Sequence, residues 1–520
     1  MNNETLDKNL LSLSKKNIWV DPEKSIIDDT VSESGKYTSV RISRSGHIIP
    51  CYTDGMSSNS IYDPVKEAQQ IIGSLKPDSF IFFAGIGGGF HIREFLRTRP
   101  NSYCAVSESS LFSFRSLIEL IDLSDIFQDP RVSIFPDCTS VHIQKQIPLS
   151  YLPALHGDFA LYSSRTWQDR NKCELAILET HIKSALYAIS SDYSVQAHFG
   201  KIWFRNALIN LEMAAESECT IPCEDTKKIA IVAAAGPSLE DVIPELKTYR
   251  SDFTIFSTDT AFSTLLSSGL IPDYFISIDA QAVSVSHAFK GFTPEMNVIV
   301  DICGNPDIAL QARKYGSNLI FVAGGHPFAA YASLNGRIPR INTSSGTVTV
   351  AALDVAYALG YSNVRLAGAD FAYTNGKPYA RGTYLEDIYS RNTNRYAPME
   401  HLYSTLMFRT PVHKHARASK ITYSTAILDS YSTACREYLN CNKWTPGVLR
   451  PFPLNSFLRQ YMIELRETMA LDYFDKRGFA TLLPFFAWYR GMASRSGIQW
   501  NMSKAFQLAL ELIARYTKIS

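Results

Sequence analysis

Residues 228–239 read Lys-Ile-Ala-Ile-Val-Ala-Ala-Ala-Gly-Pro-Ser-Leu. Ile229 to Ala233 is a short, unbroken apolar run, the pattern of a strand buried on both faces of a parallel sheet. Gly236 and Pro237 end the run. Ser238, with Asp241 in the following turn, is placed to cap a helix that begins at Glu240. The same alternation recurs downstream. Thr254 to Ser257 leads to Thr258-Asp259-Thr260, and Tyr274 to Ile278 leads to Asp279-Ala-Gln281. Val298 to Val300 and Leu319 to Val322 follow, and Val364 to Ala367 leads to Gly368-Ala-Asp370. Helical stretches between these runs predict a doubly wound parallel sheet. Ser238, Asp259, Asp279 and Asp370 stand just after strands, with Ser344 on a later turn. In open parallel sheets ligands bind beyond the carboxyl ends of the strands, so these side chains are expected to share a crevice. Any one such Asp, taken alone, also suits a helix cap or a turn.

Upstream, Ser79 to Ala84 is another apolar run, opening into Gly85-Ile-Gly-Gly-Gly89 and a helix from Phe90 to Arg97. Tyr103 to Val106 follows, ending near Glu108, and then Arg131 to Phe135. This is the order of a dinucleotide-binding βαβ unit, with Glu108 where a ribose ligand would stand. The glycine spacing departs from GxGxxG, and a Rossmann-like scaffold that binds nothing is the competing reading. His181 to Glu218 has helical spacing and reads as a connector, closed by the polar stretch Ser217 to Lys228 with Pro222. Beyond Asn440 the sheet pattern stops. Pro446, Pro451 and Pro453 precede helical patterns over Phe457 to Tyr473 and Met502 to Tyr516. The cluster Phe485, Phe486, Trp488 and Tyr489 reads as core or interface. The expected organisation is α/β: an arm or small β cap (1–60), a Rossmann-like domain (61–180), a helical connector (181–225), a central nucleotide-binding domain (226–440) and a C-terminal helical domain (441–520).

A chain of 520 residues exceeds one ordinary core. Its 51 Lys and Arg balance 50 Asp and Glu, for a net charge of +1, which gives no surplus for general nucleic-acid binding. No apolar run approaches the ~20 residues of a membrane span. The start, MNNETLDKNLLSLSKKN, lacks the basic-then-apolar order of a secretory signal, so a cytoplasmic protein is expected. The nine cysteines are scattered, and Cys219 and Cys223 flank Thr-Ile-Pro without a second pair to complete a zinc site. Reduced thiols are expected.

Three segments carry candidate chemistry. At the Gly236-Pro237-Ser238-Leu239 turn a helix N-terminus offers N–H groups and partial positive charge to a phosphate. The run Asn342-Thr343-Ser344-Ser345-Gly346-Thr347 supplies hydroxyls and backbone donors at the start of an apolar helix. The glycine-rich loop 368–382 holds Asp370, Tyr373, Lys377, Tyr379 and Arg381, a mixture typical of functional loops on a rigid scaffold.

Gly236-Pro-Ser-Leu239, Asp259-Thr-Ala261, Ile278-Asp279, Thr343-Ser-Ser-Gly346 and Gly368-Ala-Asp370-Phe371, in this order, resemble the motility accessory factor (Maf) proteins, flagellin glycosyltransferases of bacteria. The same core is similar to the 6-hydroxymethylpterin diphosphokinase (MptE-like) domain and, distantly, to sialyltransferases that use a CMP-sugar. The resemblance covers about residues 200–440, and the glycine-turn unit with Glu108 suits the N-terminal domain of Maf proteins. It implies transfer of a nonulosonic acid, pseudaminic or legionaminic in type, from a CMP-activated donor to Ser or Thr of flagellin. Gly236, Pro237 and Ser238 would contact the donor nucleotide or its phosphate. Thr343, Ser344, Ser345 and Gly346 would hold the cytidine phosphate or the sugar carboxylate, and Asp259, Asp279 and Asp370 would shape the same pocket. A departing CMP needs donors to its phosphate, for which Tyr373, Tyr379, Lys377 and Arg381 are candidates. The acceptor hydroxyl needs a base, most often His, for which His401, His413 and His415 are candidates. Tyr379 stands where related proteins often have His. Beyond the CMP-sugar donor the resemblance fixes no cofactor, and it leaves room for a divalent metal. Two alternatives remain: an ATP-dependent diphosphokinase with magnesium held by Asp259, Asp279 or Asp370, and a non-catalytic flagellin-binding protein.

Overall fold

A computed structural model describes residues 3–16, 18, 35–216, 227–288, 291–336, 338–343, 345–391, 393–417, 420–440, 454–469 and 480–517. The chain divides into two compact units, one of residues 1–198 with 471–475 and 486–502, the other of residues 199–470 with 476–485 and 503–520.

In the first unit, β1 (Tyr37–Ile42) and β2 (Ile48–Tyr52) form an antiparallel hairpin. Strands β3 (Ser79–Ala84), β4 (Cys104–Ser107), β5 (Val132–Phe135) and β6 (Asp158–Ser163) form a parallel sheet in the order β5-β4-β3-β6. Every residue of β3 is buried. Ile81 and Phe83 pack on one side with Phe95 and Leu117, and Phe80 and Phe82 on the other with Phe135 and Trp167. Helices cover both faces, so the strand shows a continuous apolar run rather than alternation. The sequence pattern missed β6, an edge strand with no fully buried residue, whose mixed composition hides it. Residues 1–60 hold more than an arm or β cap, because Asn3–Ser14 is a helix. It is pinned by buried Asn9, whose Nδ2 donates to the carbonyls of Ile118 and Ile121, each at 2.8 Å.

The expected connector is part of a single helix, Lys172–Glu216, and the division between the units falls within it. In the second unit, β7 (Ile229–Ala233), β8 (Phe253–Thr258), β9 (Tyr274–Ser277), β10 (Asn297–Asp301), β11 (Asn318–Val322) and β12 (Val364–Ala367) form a parallel sheet in the order β11-β10-β9-β8-β7-β12. The chain steps outward from β7 to β11 and then returns to the other side of β7. That reversal places the topological switch between β7 and β12, where an open α/β sheet forms its ligand crevice. Ala230, Val232, Phe256 and Ile276 pack beneath the helix Val348–Ala358, which is buried almost throughout. Ile231, Ala233 and Ile255 pack on the opposite face with Leu239, Ile243 and Leu265. A smaller sheet pairs β13 (Tyr373–Thr374), β15 (Lys420–Ser424) and β14 (His413–Arg417).

The C-terminal region is helical over Leu454–Met469, Leu483–Arg495 and Met502–Tyr516, and its residues are shared between the two units. Phe485 packs on Phe204 at 5.4 Å within the second unit, and Phe486 meets Trp500 at 6.2 Å within the first; Phe485, Phe486 and Tyr489 are buried core, whereas Trp488 is half-buried. Cys51, Cys104, Cys138, Cys173, Cys303 and Cys435 are free thiols, whereas Cys219 and Cys223 lie outside the described residues, as do Pro222, Pro446, Pro451 and Pro453. Among the described residues no helix is long and apolar enough to cross a membrane.

Candidate functional site

Two glycines let the loops after β7 and β12 interlock. The Gly236 N–H donates to the Gly368 carbonyl at 2.7 Å, and the Ala234 N–H to the Ala367 carbonyl at 2.8 Å. A Cβ on Gly236 would lie 2.2 Å from Asp370 Oδ2 and 2.4 Å from the Gly368 oxygen. Gly368 has φ +68°, and a Cβ there would lie 2.2 Å from the Ala234 oxygen. Only glycine fits either place. The next residue but two, Phe371, is a bulky side chain at φ 46°, the kind of backbone strain that collects at functional sites.

Above these loops lies a cavity of about 450 Å³ within the second unit. Its wall includes Gly236, Gly368, Phe371, Tyr373, Tyr379, Tyr431 and Arg409. The start of the buried helix, Gly346-Thr347-Val348-Thr349, forms another part of the wall. Thr347 caps that helix, its side chain accepting from the Thr349 N–H at 3.3 Å. The cavity therefore joins a helix N-terminus, a guanidinium and three phenols, a set suited to an anionic ligand. Tyr379 is surrounded by protein yet opens onto the cavity, which leaves 38% of it accessible. Desolvation, then the neighbouring Tyr384 and Tyr373, push its pKa up to about 12, so at neutral pH it is a hydrogen-bond donor.

The structure brings Gly236, Gly346, Tyr373 and Tyr379 together at this cavity, and the other candidates among the described residues do not line it. Ser238 does not cap the helix Leu239–Thr248 with its side chain; its backbone is already helical (φ −68°, ψ −11°). Its N–H instead donates to Asp370 Oδ2 at 2.8 Å. The next amides, of Leu239, Glu240 and Asp241, donate to the carbonyls of Gly236, Pro237 and Ser238. Asp370 thus already holds the anion position at this helix start. Lys377 Nζ is paired with Glu240 at 2.9 Å, and the Arg381 N–H donates to the same carboxylate. Thr343 Oγ1 accepts from the Gly325 N–H at 2.7 Å, and Ser345 Oγ lies 3.5 Å from the Thr347 N–H. Ser344 lies outside the described residues, as does the His415 side chain. His401 and His413 are exposed, and neither lines the cavity.

Asp259 is buried just behind Thr258 and Thr260, which do line the cavity. It accepts from the Thr260 N–H at 2.7 Å and from Ser277 Oγ at 3.1 Å. Desolvation raises its pKa, offset in part by His287, whose own pKa desolvation lowers. Asp279 accepts from the Gln281 N–H at 3.0 Å, the turn role open to any such Asp. Among the described residues no three His, Cys, Asp or Glu side chains group as metal ligands. Arg409 and Tyr431 escaped the sequence reading because each sits more than 25 residues beyond the glycine-rich loop 368–382, with no glycine turn to mark it.

The glycine turn of the first unit is closed on itself. Buried Glu108 accepts from the Ile86 N–H at 2.6 Å, from Tyr37 Oη at 3.1 Å and from Trp167 Nε1 at 3.1 Å. Asn59 Oδ1 accepts from the Gly88 N–H at 2.9 Å. A Cβ on Gly85 would lie 2.5 Å from the Trp167 ring. The remaining space is about 20 Å³, room for little more than one water. The carboxylate placed to hold a ribose holds the turn instead.

Comparison with known proteins agrees with this architecture. Residues 205–376 match the family described as 6-hydroxymethylpterin diphosphokinase MptE-like, a span that contains β7 to β12 and the loops of the cavity. A solved structure, that of a Maf glycosyltransferase from Magnetospirillum magneticum AMB-1, superposes on 99% of this chain and 90% of its own, with a TM-score of 0.52 at 14% identity. The chain therefore shares the α/β fold of that structure, with an MptE-like match at its centre. Two uncharacterised proteins of Treponema pallidum (strain Nichols) are closer in sequence. One is 37% identical over 239 residues, 45% of this chain and 80% of that protein. The other is 36% identical over 180 residues, 34% of this chain and 86% of that protein. The chain belongs to the family of these treponemal proteins.

Proposed function

We propose that this protein is a glycosyltransferase that moves a nonulosonic acid from a CMP-activated donor to Ser or Thr hydroxyls of flagellin. The observation that carries the reading is the cavity at the β7/β12 switch point, where Arg409, Tyr373, Tyr379 and the helix start at Gly346–Thr349 surround a space of about 450 Å³. The Maf-type fold over nearly the whole chain supports it.

In this reading the donor phosphate sits at the helix start beside Arg409, where N–H groups and a guanidinium meet its charge. The acceptor oxygen forms a bond to the anomeric carbon as the bond from that carbon to the phosphate oxygen breaks. Tyr379, held protonated, donates to the departing CMP. Arg409 takes the part first given to Lys377, whose charge Glu240 occupies. His401 and His413 are exposed and do not line the cavity, so the base that takes the acceptor proton is instead sought among carboxylates next in sequence to lining residues, of which Asp259, between Thr258 and Thr260, is one.

The name of the matched domain family keeps the diphosphokinase as a second reading. Calorimetric titration with CMP, CTP and ATP, with and without magnesium, separates the two. Cytidine nucleotides binding without ATP supports the transferase. Magnesium-dependent ATP binding alone overturns it.

A further inference from the structure

The stretch of chain that carries Arg409 into the small sheet of the second unit has a one-sided charge. Residues 401–428 contain no Asp or Glu, yet they hold Arg409, Lys414, Arg417, Lys420 and three histidines, in a chain whose net charge is +1. All but Arg409 and His401 belong to β14 and β15. The three strands of that sheet hold no carboxylate. Among the described residues neither Arg409 nor Lys414 makes a salt bridge, although Lys377 is paired with Glu240. The carboxylates that bracket the stretch have roles of their own. Asp429 accepts from Ser424 Oγ at 2.6 Å, and Glu400 stands in the first turn of the helix Met399–Met407.

β14 is an outer strand. It pairs with β15 from His413 with Ser424 to Arg417 with Lys420, and among the described residues no strand pairs with its other edge. Such an edge offers a row of N–H and C=O groups to a further chain, over about 17 Å for five residues. Its His413 end lies at the cavity. Arg409 and Thr410 lead into β14, Thr425 follows β15, and all three line the cavity wall. Tyr373, also of that wall, is paired with Tyr423, and Tyr423 with Lys414, so one row of side chains crosses the sheet from the cavity to the free edge. On the same face Phe408 packs on Tyr423 at 5.5 Å, and Phe408 and Ile421 are each 50% exposed. Exposed apolar groups rimmed by unpaired cations mark an interaction surface. A second copy of β14 laid along this edge would set like charges opposite one another, whereas an acidic chain would pair with them.

We propose that the free edge of β14 takes up an extended, acidic segment of a polypeptide as a fourth strand, with an acidic side chain opposite Lys414. One end of that segment then lies beside Thr410, at the wall of the cavity. The proposal rests on the transferase reading for the role of the segment, which is to bring an acceptor Ser or Thr hydroxyl to the donor.

The test is fluorescence anisotropy with the full chain and a labelled peptide, Glu-Thr-Glu-Val-Ser-Val-Glu-Thr, run beside CMP calorimetry. The wild type should bind this peptide at least about ten-fold more tightly than its counterpart with Lys in place of Glu. The same acidic peptide with every amide N-methylated lacks the ladder donors and should also bind at least about ten-fold more weakly. Lys414→Glu, at an exposed position outside the cavity wall, should weaken the acidic peptide about five-fold or more, with melting temperature and CMP affinity unchanged. Wild-type peptide affinity in Lys414→Glu overturns the proposal. An N-methylated peptide that binds as tightly as its parent overturns it too, since charge alone would then suffice. A wild-type chain that binds CMP but not the acidic peptide overturns it and leaves the transferase reading standing. Sedimentation with phosphatidylserine vesicles, lost in Lys414→Glu while the peptide does not bind, overturns it by making the strand a lipid surface. Peptide binding as expected, without any CMP affinity, upholds the added strand and counts against the transferase.

Discussion

Replacing Gly236 by alanine adds one methyl group at a crowded point beside the cavity of the second unit. Its carbon would lie 2.2 Å from Asp370 Oδ2 and 2.4 Å from the Gly368 carbonyl oxygen. The first obstacle is a side chain, but one fixed by its bond from the Ser238 N–H. The second is backbone, held by the bond from the Gly236 N–H itself. Overpacking of this kind costs about 1–3 kcal/mol, and displacing a charged acceptor from a backbone N–H about 1.5–3 kcal/mol more. The sum, roughly 2.5–6 kcal/mol, lowers the melting temperature of a domain of this size by on the order of 10 °C. Asp370→Ala removes one of the two obstacles, so the double variant should lose less than the two single losses added together. Thermal unfolding followed by circular dichroism measures all three, with Gly73→Ala as the control, since a Cβ there meets nothing within 4 Å. A Gly236→Ala chain as stable as the wild type, with the same affinity for CMP, would refute the argument that this glycine exists to let two loops interlock.

Other outcomes are as definite. Arg409→Ala should leave the melting temperature unchanged and weaken CMP binding about ten- to a hundred-fold, the worth of one charged hydrogen bond, as read by calorimetry. Glu108→Ala should do the reverse: it strands the N–H of Ile86 and the Nε1 of Trp167 and costs about 3 kcal/mol of stability, while CMP affinity stays as it was. Burial pushes the pKa of His91 down to about 4 and of His326 to about 3. Each is protonated in the unfolded chain below its ordinary value of about 6.5 but stays neutral in the folded chain, so stability falls as pH drops from about 6.5 towards these values, by roughly 3 kcal/mol for His91. Glu108, whose pKa burial raises, works in the opposite direction in the first unit. Urea unfolding at pH 7.5 and pH 5 should show the net loss, and His91→Phe and His326→Phe should each flatten it.

The strands of both parallel sheets, β6 apart, were legible because burial on two faces demands an unbroken apolar run, and such a run is a local property of sequence. The glycine turns were legible for the same reason, since a sharp exit from a buried strand needs Gly or Pro nearby. The order of the strands placed the crevice, and Gly236, Gly346, Tyr373 and Tyr379 are found there. What each charged group does was not legible. Lys377 looks free in sequence, yet it is paired with Glu240, 137 residues away. Asp370 looks like a ligand of a nucleotide, yet it binds the Ser238 N–H from 132 residues away. Glu108 looks poised for a ribose, yet Tyr37, Ile86 and Trp167 converge on it. Arg409 has no motif around it and still reaches the cavity. Hydrophobic period and turn chemistry act between near neighbours, so the sequence by itself determined where strands, turns and the crevice fall. A charge in a desolvated place takes whichever partner the fold brings within about 3 Å, and only the tertiary structure decided which partner that was.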